Sequence, residues 1–431
     1  MRTLASYLSN ANYRTAFSLV FCLLCSLYPL FSVADAKVYI DITSPAVKKL
    51  PIAISEFSGP SGREISDIIR DDLDFTGIFL VLDRNAFVEA PSQPFNPQNW
   101  TVLGVEVVVK GTLRSDKNSV SIVSMYDVGE GKEIFKKEYQ AEAGLTRPLA
   151  HTIANDIYKQ ITNEDGIFRT RIAYIARYGG HDELALMDWD GQRINKTGIK
   201  APLLLSPRWA KDGSKLLYSA ERNRQWGIYL LDFKKQLEQA AFSAKGTNLA
   251  GDFFPNGDEF AFSSSMGGTS NIYLYRLSES KLVRLTSSHS VEVTPTVSPD
   301  GKHIAFVSDR EGSPQIFIMD KQGYDIRRLT FSGSYNTAPS WSPKGDKIVF
   351  SGRDNGRNQI FTISPDGSGL TELTDKGNNE DPSFSPDGRY IVFTSDRDGG
   401  RSIYIMRANG EAQKRITPRG ARAFGPRWSP N

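Results

Sequence analysis

At 431 residues, with 39% apolar side chains and a formal charge of +3, the chain has the composition of a soluble globular protein of two or three domains. Its basic residues are spread along the chain without a block, which argues against nucleic acid as the main partner, because phosphate binding wants a concentrated basic face. Four histidines leave little material for metal or general-base chemistry.

The first 36 residues have the pattern of a secretory signal. Arg2 and Arg14 form a positive start, Ala16 to Phe31 is an apolar run, and Ala34-Asp35-Ala36 is an A-x-A cleavage site. Cleavage after Ala36 is expected, with Lys37 opening an exported, periplasmic chain. An uncleaved anchor helix is the competing reading, but the apolar run is short for a span. Cys22 and Cys25 both lie in that run, so the mature chain is free of cysteine and depends on its core rather than on disulfides.

Residues 37–165 suggest a compact α/β domain. Strands are expected at Val38 to Ile42, Ile52 to Ser55, Ile78 to Leu82, Val105 to Gly111, Val120 to Tyr126 and Ile134 to Tyr139. Ile65, Ile68, Ile69 and Leu73 share one face of a helix over Arg63 to Phe75. Leu149, Ile153, Ile157 and Ile161 do the same on a second helix, with Thr146 as its expected N-cap and Pro148 in its first turn. Pro91, Pro94 and Pro97 mark a loop.

Residues 166–431 repeat. A turn of the form P-x-aromatic-S-P-D-G recurs, complete in Pro382-Ser383-Phe384-Ser385-Pro386-Asp387-Gly388. Its glycines fall at 213, 257, 301, 345 and 388, steps of 44, 44, 44 and 43. A further copy, Pro426-Arg427-Trp428-Ser429-Pro430-Asn431, stops short of the glycine. Each turn leads into an alternating apolar strand such as His303 to Val307. A polar turn such as Ser395-Asp396-Arg397-Asp398-Gly399 follows, then a third strand such as Ile403-Tyr404-Ile405 and a short edge strand. Four short strands per ~44 residues are the signature of a propeller blade. Arg171 to Ile175 opens the repeats with no innermost strand before it, and Phe424 to Ser429 is an orphan strand at the far end. The fold class is therefore a C-terminal six-bladed β-propeller, closed by the last strand on the first blade, behind an N-terminal α/β domain. An open solenoid is the alternative, and it would leave an unpaired edge at each end.

Signs of catalysis are few. The nucleophile elbow G-x-S-x-G is absent, since Gly59-Pro60-Ser61-Gly62 has the wrong spacing, and H-E-x-x-H does not occur. His181-Asp182-Glu183 is expected to be a solvated turn rather than a metal cluster. His151 is expected on the exposed side of its helix, and inert. His289 precedes an innermost strand. The Ser-Asp-Arg turns lack the spacing of an EF-hand loop, so hydrogen-bonded turns are expected rather than calcium sites. The aromatic residues at Trp209, Trp341, Phe384 and Trp428 are expected in the blade core.

What differs from blade to blade is the segment leading into each innermost strand, and these segments ring the channel mouth. Variation at equivalent places of a repeat is free for binding. The mixture of acidic, amide and aromatic side chains there suits a protein or peptide segment better than a small anion.

At this point the chain resembles the TolB family, the periplasmic component of the Tol–Pal cell-envelope system. The specific run is Gly166-Ile167-Phe168-Arg169-Thr170-Arg171-Ile172-Ala173-Tyr174-Ile175, supported by Ala154 to Thr162 upstream and by the Pro426-Arg427-Trp428-Ser429-Pro430 ending. The resemblance implies a monomeric scaffold without catalysis. It implies binding of the peptidoglycan-associated lipoprotein Pal at the channel mouth and of the inner-membrane protein TolA through the N-terminal segment and domain. The family role is outer-membrane integrity and constriction at cell division. Carried over by position, the partner-binding residues are Asn248, Glu292, Thr294, Asn336, Thr337, Glu380 and Asp381, with Phe424 beside them at the mouth. No cofactor is implied; a structural calcium in the channel is the one ion considered. The alternative function is a metal-dependent hydrolase of lactonase type, with Glu292, Glu380, Asp381, Asn248 and Asn336 converging on a metal.

Overall fold

A computed structural model describes residues 48–431 apart from 116, 117, 143 and 355. The signal sequence and the expected Val38 to Ile42 strand lie outside the described residues. The first domain is a five-stranded sheet of β1 (Leu50–Ile54), β2 (Phe79–Val81), β3 (Val107–Ser115), β4 (Asn118–Asp127) and β5 (Lys132–Glu142), in the order β2-β1-β3-β4-β5. β1 runs parallel to both its neighbours, and β3, β4 and β5 form an antiparallel meander. The apolar run of β1 suits a strand covered on both faces. Helices Gly62–Thr76 and Thr146–Thr162 pack together, burying Ile65, Ile69 and Leu73 on one and Ile153, Ile157 and Ile161 on the other.

Two local expectations change. The N-cap of the second long helix is Leu145 rather than Thr146, and no side chain caps it. Pro97, expected in a loop, opens a short helix over Pro97–Thr101, where its missing N–H costs nothing and Asn96 Oδ1 accepts from the Gln98 N–H.

The second domain is a ring of six four-stranded antiparallel sheets. The first blade takes its innermost strand, Ala423–Trp428, from the far end of the chain; it pairs with Arg171–Arg177. The seam is sealed by side chains as well: Trp428 Nε1 donates to Thr170 Oγ1 at 2.7 Å, and the Arg171 N–H donates to Ser429 Oγ at 2.9 Å. The repeated turns explain their own sequence. Their glycines sit at φ between 67° and 74°, in the left-handed region that favours glycine, and the aspartates accept from the backbone two residues on, as Asp300 Oδ1 does from the Lys302 N–H at 3.0 Å. Apolar clusters bridge adjacent blades: Ile175, Leu184 and Phe424 of the first pack with Leu216 and Tyr218 of the second.

Ion pairs bridge the blades too. Glu259 in the third blade, 3% exposed, accepts from Arg276 of its own blade and from Lys321 of the next, both at 2.7 Å. Burial pushes its carboxyl pKa up, but the hydrogen bonds from Lys321, Arg276 and Asn256 outweigh burial and hold it at about 2. A carboxylate with a depressed folded pKa contributes stability that is fully present above pH 4.5 and is lost as pH falls through 2. Glu259→Gln is expected to lower stability by roughly 2 kcal/mol at neutral pH, discounted for water around the two cations, and to change nothing near the folded pKa. Melting curves of both proteins across the acid range check this; parallel curves would refute it.

The α/β domain docks on the propeller face that carries the glycine turns. Phe75 inserts between Trp189 and Tyr390, with ring centroids 5.0 and 5.2 Å away. Arg389 Nη2 pairs with Glu164 Oε2 at 3.0 Å, and Arg407 Nη2 donates to the Phe75 carbonyl at 3.3 Å. Phe168, in the connecting segment, packs on Tyr158 and Trp189.

Candidate protein-binding face and channel

Within a four-stranded blade the chain reverses at every turn. The segments that enter the innermost strands therefore lie at the end of the ring away from the glycine turns and the α/β domain. Five of these strands begin at Asn248, Glu292, Asn336, Asn379 and Ala423, and Leu204 holds the equivalent register in the second blade.

The first register position is structural. Asn248 is fully buried; its Nδ2 donates to the carbonyls of Trp226 and Ala244, and Ser264 Oγ donates to its Oδ1. Asn336 Nδ2 donates to Gln315 Oε1 at 2.7 Å and to the Ser332 carbonyl at 2.8 Å. Asn379, not among the expected site residues, makes the matching bonds to Gln359 Oε1 and the Lys376 carbonyl. These amides brace the incoming loop against the preceding blade. Glu292 replaces the amide in the fourth blade: it is 0% exposed and pairs with Arg310 of its own polar turn. Asn248, Glu292 and Asn336 thus face inward rather than toward a partner.

Thr337 and Glu380 hold the second position and are half-buried, while Phe424 in the same register is buried under the guanidinium groups of Arg177 and Arg401. Glu380 accepts from Arg401 Nη2 at 3.0 Å and from Asn358 Nδ2 at 2.9 Å. Thr294 and Asp381 hold the third position with φ of 51° and 54°, and the Asp381 carbonyl accepts from Arg427 Nη1 at 3.0 Å. Glu292 Oε2 and Thr294 Oγ1 are buried without a hydrogen bond.

One residue before the strands is a ring that the sequence reading partly missed. It consists of Leu203, Thr247, Val291, Tyr335, Asn378 and Arg422, all exposed except the half-buried Tyr335; Val291 is 47% and Leu203 40% exposed. Their spacing, four steps of 44 and one of 43, is the spacing of the glycine turns, so stepping that period from Arg422 would have found them.

A cavity of about 370 Å³ lies in the channel at the end nearer the glycine turns. Arg208, Asp252, Thr296, Ser340, Ser383 and Arg427, one from each blade, line it, with Trp209, Trp341, Phe384 and Trp428 beside them. Trp209 and Trp341 are only half-buried and border this cavity, and each indole N–H donates to a carbonyl of the neighbouring innermost strand. Arg208 Nε pairs with Asp252 Oδ1 at 2.9 Å. Burial, reinforced by the nearby Arg208, pulls the Arg427 pKa down to about 9.

The donor set that a lactonase-type metal would need does not assemble. Asn248 and Asn336 are turned toward their loops and the preceding blade and Glu292 toward Arg310, while the cavity in the channel holds Arg208, Arg427 and the Asp252 carboxylate that Arg208 already pairs. The polar turns are held by their arginines: Arg397 donates to Ser395 Oγ, Asn379 Oδ1 and Gln413 Oε1. Two further expectations fail. Asp182 and Glu183 are buried strand residues rather than a solvated turn, and Asp182 pairs with Arg177 at 2.8 Å. His151 is 3% exposed and its Nδ1 lies 2.7 Å from Asp72 Oδ2, because its side of the helix faces the first long helix and the propeller.

Comparison with known proteins agrees with this architecture. Residues 158–431 match the family described as the TolB beta propeller domain, and residues 38–134 the one described as the TolB amino-terminal domain. The Tol-Pal system protein TolB of Anaeromyxobacter dehalogenans (strain 2CP-1) is 34% identical over 277 residues, covering 61% of this chain and 63% of the relative. The protein of the same name from Anaeromyxobacter sp. (strain K) gives the same figures. The chain thus spans less than two thirds of the length of these curated relatives. The crystal structure of TolB from Acinetobacter baumannii superposes with a TM-score of 0.81 at 27% identity, over 91% of this chain and 100% of that one. A chain of the nidogen/laminin complex, at 9% identity and a TM-score of 0.51 over 60% of this chain and 98% of that one, shares the fold alone.

Proposed function

As the chain belongs to the TolB family, we propose that it is an exported, non-catalytic scaffold of the Tol–Pal system. Its loop face takes a Pal-like peptidoglycan-associated lipoprotein, and its N-terminal segment and domain take a TolA-like inner-membrane protein. By that pairing it links the two membranes, maintains the outer one and supports constriction at division. The protein is read as a periplasmic monomer cleaved after Ala36, with its domains divided at residues 165 and 166. Among the described residues no helix is long and apolar enough to cross a membrane.

One observation carries the reading of the face. The ring from Leu203 to Arg422 and the half-buried positions Thr337 and Glu380 vary between blades, while three of the six positions just beside them, Asn248, Asn336 and Asn379, are braced asparagines. A rim that mixes exposed Leu203 and Val291 with Tyr335, Asn378 and Arg422 has the amphiphilic make-up of a protein-binding surface. Of the residues implied by the family resemblance, Thr337, Glu380 and Asp381 are half-buried and are read as the ones that meet a partner; Thr294 is half-buried too, but its hydroxyl is turned inward. Asn248, Glu292, Asn336 and Phe424 shape the loops from beneath.

The test is a pull-down from solubilised envelope, with the mature protein as bait beside Thr337→Arg/Glu380→Arg. Neither residue is buried, so the double variant is expected to melt within about 2 °C of the parent. It is expected to recover less than about a tenth of the lipoprotein, as two misplaced charges at an interface cost more than about 1.4 kcal/mol. Equal recovery with both baits would remove these residues from the site.

A further inference from the structure

Where the two domains meet, His151 of the Thr146–Thr162 helix faces the Asp188–Gln192 turn of the first blade. His151 Nδ1 lies 2.7 Å from Asp72 Oδ2; an ionised Asp72 places the ring proton on Nδ1, which fixes the ring and leaves Nε2 as the free ligand atom. That atom makes no hydrogen bond, although the side chain is nine-tenths buried. Asp190 Oδ2, which already accepts from Arg147 Nη2, stands 3.8 Å from it, too far for a hydrogen bond. Asp188 Oδ2, also buried, is likewise without a hydrogen bond, and Arg193 Nε lies 3.6 Å from it. One ligand atom from each of His151, Asp188 and Asp190 can be chosen so that the three lie within 4.8 Å of one another.

A neutral imidazole turning its lone pair toward two carboxylates is repulsive unless a positive charge sits between them. We propose that His151, Asp188 and Asp190 form a binding site for one zinc-class divalent cation, tying the α/β domain to the propeller. The separation is wider than a filled site needs: zinc bonds of about 2.0–2.2 Å at the tetrahedral angle place ligand atoms roughly 3.3–3.6 Å apart, so the three atoms, within 4.8 Å of one another, must draw in by up to roughly 1.5 Å on binding. The donor set fits, since one imidazole with two carboxylates suits a first-row ion better than calcium or magnesium, and it leaves a fourth position for water. Asp72 behind the histidine supplies the carboxylate–imidazole pairing that orients a metal-bound ring.

Charge fits as well. Asp72, Asp188 and Asp190 bring three negative charges, and Arg147, paired with Asp190, brings one compensating charge from within the interface. Arg171 and Arg193 are exposed and screened by water. A divalent ion balances the remaining two charges; an imidazolium would balance one. The turn is built to hold its carboxylates in place. Asp190 Oδ1 accepts from the Gln192 N–H, and Gly191, at φ 85°, passes so close to the Ile416 carbonyl that a Cβ would lie 1.9 Å from its oxygen.

Chelator-treated full-length mature protein would be titrated with Zn²⁺ by calorimetry and, separately, with Co²⁺ by visible absorption. The expected result is one ion per chain, a zinc-dependent rise in melting temperature, and intense d–d bands from a four-coordinate cobalt. Asp188→Asn and His151→Gln are expected to weaken binding at least about 100-fold, and Asp72→Asn about 10-fold or more. The cobalt spectrum needs no variant, so a misfolded mutant leaves the test intact. Absence of saturable binding in the parent would overturn the site, as would binding that survives Asp188→Asn and His151→Gln. Stability that ignores zinc and rises on mild acidification would overturn it in favour of an imidazolium bridge.

Discussion

Deleting residues 423–431 is expected to abolish the cooperative melting transition of the propeller. Those residues supply the innermost strand of the first blade, so their loss exposes the Arg171–Arg177 strand along one edge and opens the ring. Phe424 and Trp428 are both nearly fully buried, and removing a buried aromatic costs about 3–5 kcal/mol each. The Trp428–Thr170 and Ser429–Arg171 hydrogen bonds go with them. The sum is comparable to the whole stability of an ordinary domain, about 5–15 kcal/mol. Calorimetry and near-ultraviolet circular dichroism of the truncated chain check this. A sharp transition within a few degrees of the parent would mean that the other five blades hold the ring without a seam.

Glu292→Lys is expected to lower the melting temperature on the order of 5–10 °C. The parent carboxylate is wholly buried against Arg310, which itself lies over the Phe306 and Phe317 rings. Placing an ammonium there breaks a buried pair and sets two cations together, a change of about 3–5 kcal/mol. Glu292→Gln keeps a hydrogen-bond acceptor for the guanidinium and should recover about half of that loss. A charge reversal with no effect on melting would show that water reaches this carboxylate and would return Glu292 to the partner surface.

The repeat was fully legible because its physics is local. Proline, aspartate and glycine at fixed offsets make a turn whatever surrounds them, and a period of about 44 with a blade lacking its innermost strand at one end and an orphan strand at the other leaves ring closure as the economical topology. The two long helices of the first domain were legible for the same reason, whereas the five-residue Pro97–Thr101 helix is too short to show a periodic face. The candidate site was only half legible. Position in a repeat says which residues enter the innermost strand, but not which way each one turns. Asn248 and Asn336 look like free polar groups until the neighbouring blade supplies Trp226, Gln315 and Ser332 as their partners. His151 failed for a related reason. Its helix has one apolar stripe, and the opposite side counts as exposed unless a second domain covers it.

The seam also determines how the molecule answers to load. The connection from the α/β domain leads through Phe168 straight into Arg171–Arg177, the strand gripped on one side by Ala423–Trp428 and on the other by Asp182–Asp188. Tension applied at the first domain therefore runs along that strand and strains its two ladders of hydrogen bonds together, in shear, instead of peeling them one at a time. A partner held on the loop face lies at the far end of the same blades. Resistance to pulling is then set by how fast the first blade comes apart, a rate rather than an equilibrium, and the residues that govern it are those of the closing strand.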